Sequence, residues 1–154
     1  MQITDKSDAE WQKAFQLYQG FNEAKGAADL VESLAQLRAM RGCSGKAGTI
    51  GYCLGGKLAY LMATRSSADC NVGYYGVGIE GALGEAPAIT KPLLLHIAAE
   101  DRFVSKEAQA AITEALGRNS NVTLYSYPGV DHAFARVGGA HYDRAAATLA
   151  NQRT

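Results

Sequence analysis

The sequence predicts an α/β fold built on a mostly parallel sheet of about four strands with flanking helices. Two observations predict it. Residues 46–52, 71–77, 92–98 and 121–127 are short, largely apolar or β-prone runs bounded by turn residues, as strands covered on both faces would be. Helical patterns lie between them at 54–65 and 105–117, and another follows at 139–150, so strand and helix alternate over most of the chain. Composition agrees: 47% hydrophobic and 19% charged residues describe a chain that buries a core rather than one that stays solvated.

Taken in order, the first helix starts at Ser7, which with Glu10 three residues later reads as a capping box. Trp11, Phe15 and Tyr18 then recur at helical spacing up to Gly20. Leu30, Leu34 and Leu37 repeat that period before Gly42, and Arg38 and Arg41 suit the negative end of the helix dipole. No repeat, low-complexity tract or charge block interrupts the 154 residues, which read as a single domain over 1–154. Fifteen Lys and Arg balance fifteen Asp and Glu, so no global field draws the chain to nucleic acid or to a membrane surface. The longest apolar stretch, around Leu93 to Ala99, is too short to span a bilayer. The polar start MQITDKSDAE lacks a signal-peptide core, and the reading is cytoplasmic. Three cysteines, Cys43, Cys53 and Cys70, form no CxxC pair, so a disulfide framework and a cysteine-built metal site are not expected.

Three glycine motifs compete. GYCLGGK, residues 51–57, fits the phosphate-binding GxxxxGK, but Leu58 stands where a magnesium-binding hydroxyl belongs. GVGIEG, residues 76–81, fits GxGxxG after a strand, but Pro87 and Pro92 crowd the space a crossover helix needs, and a flexible loop is the better reading. The third reading takes GYCLG as a cysteine version of the nucleophile elbow, a sharp turn from strand 46–52 into helix 54–65. Gly51, Gly55 and Gly56 then permit close backbone approach, and Cys53 sits at the tip. A helix N-terminus favours thiolate over thiol there. From these five residues alone, a buried cysteine packing as a small hydrophobe is an equal alternative.

An elbow requires its acid after a later strand and its histidine after the last one. PLLLHIAAED leads strand 92–98 into Asp101, and NVTLYSYPGVDH leads strand 121–127 into His132, both at the sheet edge that carries Cys53. His132 can then handle the thiol proton while Asp101 bonds the other ring nitrogen. Glu100 and Asp131 are neighbouring carboxylates, and Asp131 adjoins the histidine too closely to orient its ring. His96, mid-strand, reads as a hydrogen-bonded core residue, and His141, in or before the last helix, as solvated. No His, Cys, Asp and Glu cluster has zinc-like spacing, so a metal site is not expected.

GYCLGGKLAY, VGYYGVGIE, HIAAEDRFV, GVDHAFAR and AAATLANQRT resemble, in order and across nearly the whole chain, segments of the dienelactone hydrolase family, cysteine-nucleophile members of the α/β-hydrolase fold. The resemblance implies hydrolysis of a small lactone or ester bearing a carboxylate, through an acyl-enzyme on Cys53 with His132 and Asp101, without a cofactor. It implies that the backbone N–H of Leu54 serves the oxyanion and that Arg136 pairs with the substrate carboxylate, a role for which a planar donor fork is suited.

The chain also departs from the family pattern. The family's first third, with the opening strands, the second oxyanion donor and a glutamate that engages the resting thiol, has no counterpart before Met1, and its final helix runs on past the position of Thr154. EWQKAF holds no arginine where the family has a second carboxylate-binding residue. Strand 46–52, central in the longer fold, becomes an edge with unpaired backbone groups, which predicts a homodimer that covers it. A non-catalytic binding or assembly module on the same scaffold is the alternative function.

Overall fold

A computed structural model describes residues 7–154; the polar start at 1–6 lies outside the described residues. Helix α1 (Asp8–Gln19) is capped by Ser7, whose side chain accepts from the Glu10 N–H at 3.3 Å. None of its residues is fully buried, so α1 is held by one partly covered face rather than by a core. Helix α2 (Glu23–Ala39), capped by Asn22, buries Ala27 and Leu34.

Strands β1 (Thr49–Tyr52), β2 (Asn71–Tyr74), β3 (Leu93–Ala98) and β4 (Val122–Tyr127) form a sheet in the order β1-β2-β3-β4, every neighbouring pair parallel. Because all four strands run in the same direction, the turns that leave them gather along one sheet edge. β1 and β2 are shorter than the sequence runs suggest. Before β1, the Ala47 N–H donates to the Asp69 carboxylate at 2.8 Å instead of joining the ladder, and after β2, Tyr75 turns to φ 38°. Among the described residues β1 is an edge strand, with Ile50 55% and Tyr52 46% exposed.

Period-2 alternation along the strands divides the core. Leu93 and Leu95 pack with Tyr60 and Leu61 of α3 (Leu54–Arg65) and with Ile112 and Leu116 of α4 (Lys106–Leu116). Tyr74, Ala98 and Tyr127 pack instead with Phe134 and with Ala150 of α5 (Arg144–Arg153). Helices therefore cover both faces, as a parallel sheet requires.

Two sequence expectations are corrected here. The segment expected as a flexible loop runs into a 3-10 helix, Ile79–Ala88, with Ile79 and Ala86 buried. The Tyr60 hydroxyl donates to Ala82 O at 3.0 Å, and the Arg65 fork holds Glu85, so core contacts supply the order that propensity did not. The last helix starts at Arg144 rather than near 139, because Gly138 takes φ 79° and Asp143 supplies the cap, accepting from the Ala146 N–H at 2.8 Å. His96 is buried as expected: Nδ1 meets the Tyr127 hydroxyl at 2.8 Å and Nε2 the Thr154 hydroxyl at 3.0 Å.

Candidate active site

The turn from β1 into α3 passes through a single residue, Cys53. Cys53 caps α3 with φ 57° and ψ −119°, a conformation that costs a residue with a Cβ. Two glycines make this turn possible. A Cβ on Gly51 would lie 1.9 Å from Gly55 O, and one on Gly56 would lie 2.6 Å from Tyr74 O. Gly55 itself faces open space, so of the three glycines expected to relieve crowding, Gly55 does so only by the approach of its backbone to Gly51. Lys57, the lysine of the phosphate-loop reading, is bound to Glu23 of α2 at 2.5 Å, so that loop is bound into helix packing. Leu54 is the first residue of α3, so its N–H has no carbonyl one turn back along the helix to bond.

The turns after β3 and β4 bring the other two residues together. His132 Nδ1 lies 2.9 Å from Asp101 Oδ2 and 3.2 Å from Oδ1, and both side chains are buried. The second Asp101 contact is local: Oδ1 accepts from the Phe103 N–H at 2.9 Å, which fixes the carboxylate plane. Burial works against a charged His132. The hydrogen bonds to Asp101 and to Cys53, with their charges, outweigh it and raise the imidazole from 6.5 to about 9. Buried His96 moves the other way, to about 4, because desolvation is opposed by no carboxylate.

These shifts set a pH dependence of stability. The raised His132 contributes stability that is complete below about pH 6.5 and lost as pH rises through about 9. The lowered His96 contributes stability that is complete above about pH 6.5 and lost as pH falls through about 4. Chemical denaturation across this range should give a maximum near pH 6.5, and His132→Ala should flatten the alkaline limb alone. An unchanged alkaline limb in that variant would refute the assignment.

Cys53 and His132 face one cavity of about 660 Å³, walled by Trp11, Phe15 and Tyr18 of α1 on one side and by Tyr75, Phe103, Arg102, Arg136 and His141 on the other. Asp101 lies behind His132, out of the cavity lining. Of the described residues other than glycine, three have positive φ: Cys53, Tyr75 at 38° and Ala133 at 63°. All three line this cavity, and strain concentrated in this way marks functional sites. Tyr75 packs edge-on against the His132 ring at 5.0 Å, as does Phe103 at 4.8 Å, so the imidazole is clasped between two aromatic rings. Sequence reasoning missed Tyr75 and Phe103. Their signal is positional, since Tyr75 directly follows β2 and Phe103 lies two residues beyond Asp101, both at the sheet's carboxyl edge.

His141 is not simply solvated. Its Nε2 accepts from Arg102 Nη2 at 2.6 Å, and the same guanidinium grips Asp131. Among the described residues no group of His, Cys, Asp and Glu is arranged to hold a metal, and no helix is long and apolar enough to cross a membrane.

The profile of the dienelactone hydrolase family matches residues 2–154. The chain belongs to that family. Among curated relatives of this dienelactone hydrolase family member, an inferred carboxymethylenebutenolidase of Azospirillum brasilense is 48% identical over 100% of this chain and 66% of its own length. Carboxymethylenebutenolidase 1 of Cupriavidus pinatubonensis is 42% identical over 95% of this chain and 62% of its own. Among solved structures, a dienelactone hydrolase-like promiscuous phosphotriesterase from metagenomic libraries superposes with a TM-score of 0.77. It is 22% identical and covers 96% of this chain and 65% of that one, a likeness of fold. The family member thus spans about two thirds of the length of the curated relatives it matches.

Proposed function

We propose that this chain is a hydrolase acting on small lactones or esters that bear a carboxylate, with Cys53 as nucleophile, His132 as proton carrier and Asp101 as its orienting carboxylate. The observation that carries the reading is the Asp101–His132 contact at 2.9 Å, buried behind a cavity into which the strained Cys53 turn also opens. Kinship with carboxymethylenebutenolidases supports the substrate class.

With Nδ1 engaged by Asp101, His132 Nε2 is the nitrogen left to exchange a proton with the sulfur. The Cys53 thiolate attacks the lactone carbonyl carbon. A C–S bond forms, the negative charge passes to the carbonyl oxygen beside the Leu54 N–H, and collapse breaks the ring C–O bond as His132 protonates the leaving oxygen. Water, giving its proton to His132, then cleaves the thioester and frees the sulfur. Arg136 lines the cavity and supplies the planar fork for the substrate carboxylate. Active-site titration with a chromogenic ester tests the reading: a stoichiometric burst that disappears in Cys53→Ala supports it, and turnover that survives this substitution sinks it.

The exposed β1 edge supports a second proposal, that another copy of the chain packs against Ile50 and Tyr52. Light scattering should give a dimer mass, and a stable monomer at micromolar concentration would overturn this.

A further inference from the structure

Asp101 and His132 each have a chain neighbour that makes a second link between the same two turns, with the charges reversed. Arg102 Nε and Nη2 donate to Asp131 Oδ2 at 2.7 and 2.5 Å, and the Arg102 backbone N–H donates to Oδ1 at 3.0 Å. Asp131 Oδ1 also accepts from the His132 N–H at 2.6 Å. One step back along the chain, the Glu100 N–H donates to Val130 O at 2.9 Å. The turns after β3 and β4 are therefore closed by successive rungs, with Arg102–Asp131 lying between the solvent and the buried Asp101–His132 pair.

Those rungs have something to hold. Ala133, immediately after His132, sits at φ 63°, a conformation that L residues leave when they are free to do so. The Asp101 contact fixes one ring nitrogen but not the backbone that carries the ring. Asp131 fixes that backbone from the preceding residue: Oδ1 accepts from the His132 and Arg102 N–H groups while two donors of the Arg102 guanidinium converge on Oδ2, an arrangement that a single side-chain donor could not reproduce. Asp131 is thus too close in sequence to bond the ring itself and acts on it through the His132 backbone N–H and through Arg102. His141 also accepts from Arg102 Nη2, the nitrogen that donates to Asp131, and so adds a second acceptor at that end of the guanidinium.

We propose that Arg102 and Asp131 are positioning residues, a clamp that sets the geometry of the Asp101–His132 pair; the proposal rests on the hydrolase reading for its effect on rate. Three variants test it: Arg102→Lys, which keeps the charge and loses the fork; Asp131→Asn; and Arg102→Gln combined with Asp131→Asn, which removes both charges together. Two readouts are needed. NMR titration of the His132 ring follows the pair without requiring turnover, and kcat and KM on a 4-nitrophenyl ester follow the rate.

In the double variant kcat should fall roughly 10- to 100-fold at a KM within about twofold of wild type, the scale expected when a reacting group is displaced by about an ångström. Its His132 should titrate at least about one unit below the wild-type position near 9. Arg102→Lys should lie between the double variant and wild type on both readouts. A double variant whose His132 titrates as in wild type, or whose KM rises while kcat holds, overturns the clamp, the latter by making Arg102 a substrate contact. Should the double variant not fold, Arg102→Lys decides by the same criteria. If Cys53→Ala retains turnover, the hydrolase reading fails, while the ring titration still judges the clamp.

Discussion

His132→Ala should lower kcat on a carboxylate-bearing ester by about 10²- to 10⁴-fold, the range that a positioned general acid and base contributes. The expectation follows from the environment of the ring. Its Nδ1 is committed to a buried carboxylate, Tyr75 and Phe103 pack against it edge-on, and its raised pKa gives it the proton it must deliver to the leaving oxygen. Alanine leaves the sulfur without that proton carrier and leaves Asp101 as a buried carboxylate with its histidine partner gone. Asp101→Asn should cost less than His132→Ala in stability, because the amide oxygen can still accept from the Phe103 N–H while its NH2 donates to His132 Nδ1, but it should depress kcat by a comparable order, because that bond holds the wrong imidazole tautomer and the charge that stabilises the imidazolium is gone. Stopped-flow traces separate the steps: without His132 the burst should slow more than the steady state. A His132→Ala enzyme within fivefold of wild type would refute the assignment, whatever Cys53→Ala does.

Much of this arrangement was legible in the sequence because parallel sheets obey a positional rule. Once four strand-like runs alternate with helices, residues just beyond each run must share an edge, so Cys53, Asp101 and His132 can be placed together without coordinates. What was illegible depends on contacts between segments. The helix at Ile79–Ala88 forms because Tyr60 and Arg65 reach across to it, and a window containing Gly81, Gly84 and Pro87 conceals that. The bond between Asp131 and Arg102 joins residues 29 apart, so composition near His132 could only suggest a spare carboxylate. The glycines of the elbow were recognised as a group, but which of them is indispensable depends on where each missing Cβ would point.

That last distinction gives the largest stability effect expected in the molecule. Gly51→Ala should destabilise the fold by about 3 kcal/mol or more. The added Cβ would lie 1.9 Å from Gly55 O, 2.3 Å from Gly55 C and 3.0 Å from its Cα, all backbone atoms that no rotamer change can move. Relief requires the start of α3 to shift as a unit, which drags Cys53, already at φ 57°, away from its hydrogen bond from N–H to Tyr74 O at 3.0 Å. For a chain of this size such a loss corresponds to a melting temperature lower by roughly 10 °C, with Cys53 displaced in whatever fraction still folds. Gly55→Ala is the control, since its Cβ meets nothing within 4 Å and alanine is the better helix former. It should melt within about 2 °C of wild type or slightly above it, roughly half a kcal/mol in the stabilising direction at most. Equal melting temperatures for the two alanine variants would mean that the β1–α3 turn is not held by this contact. The route by which the sequence fixes the position of Cys53 would then have to lie elsewhere.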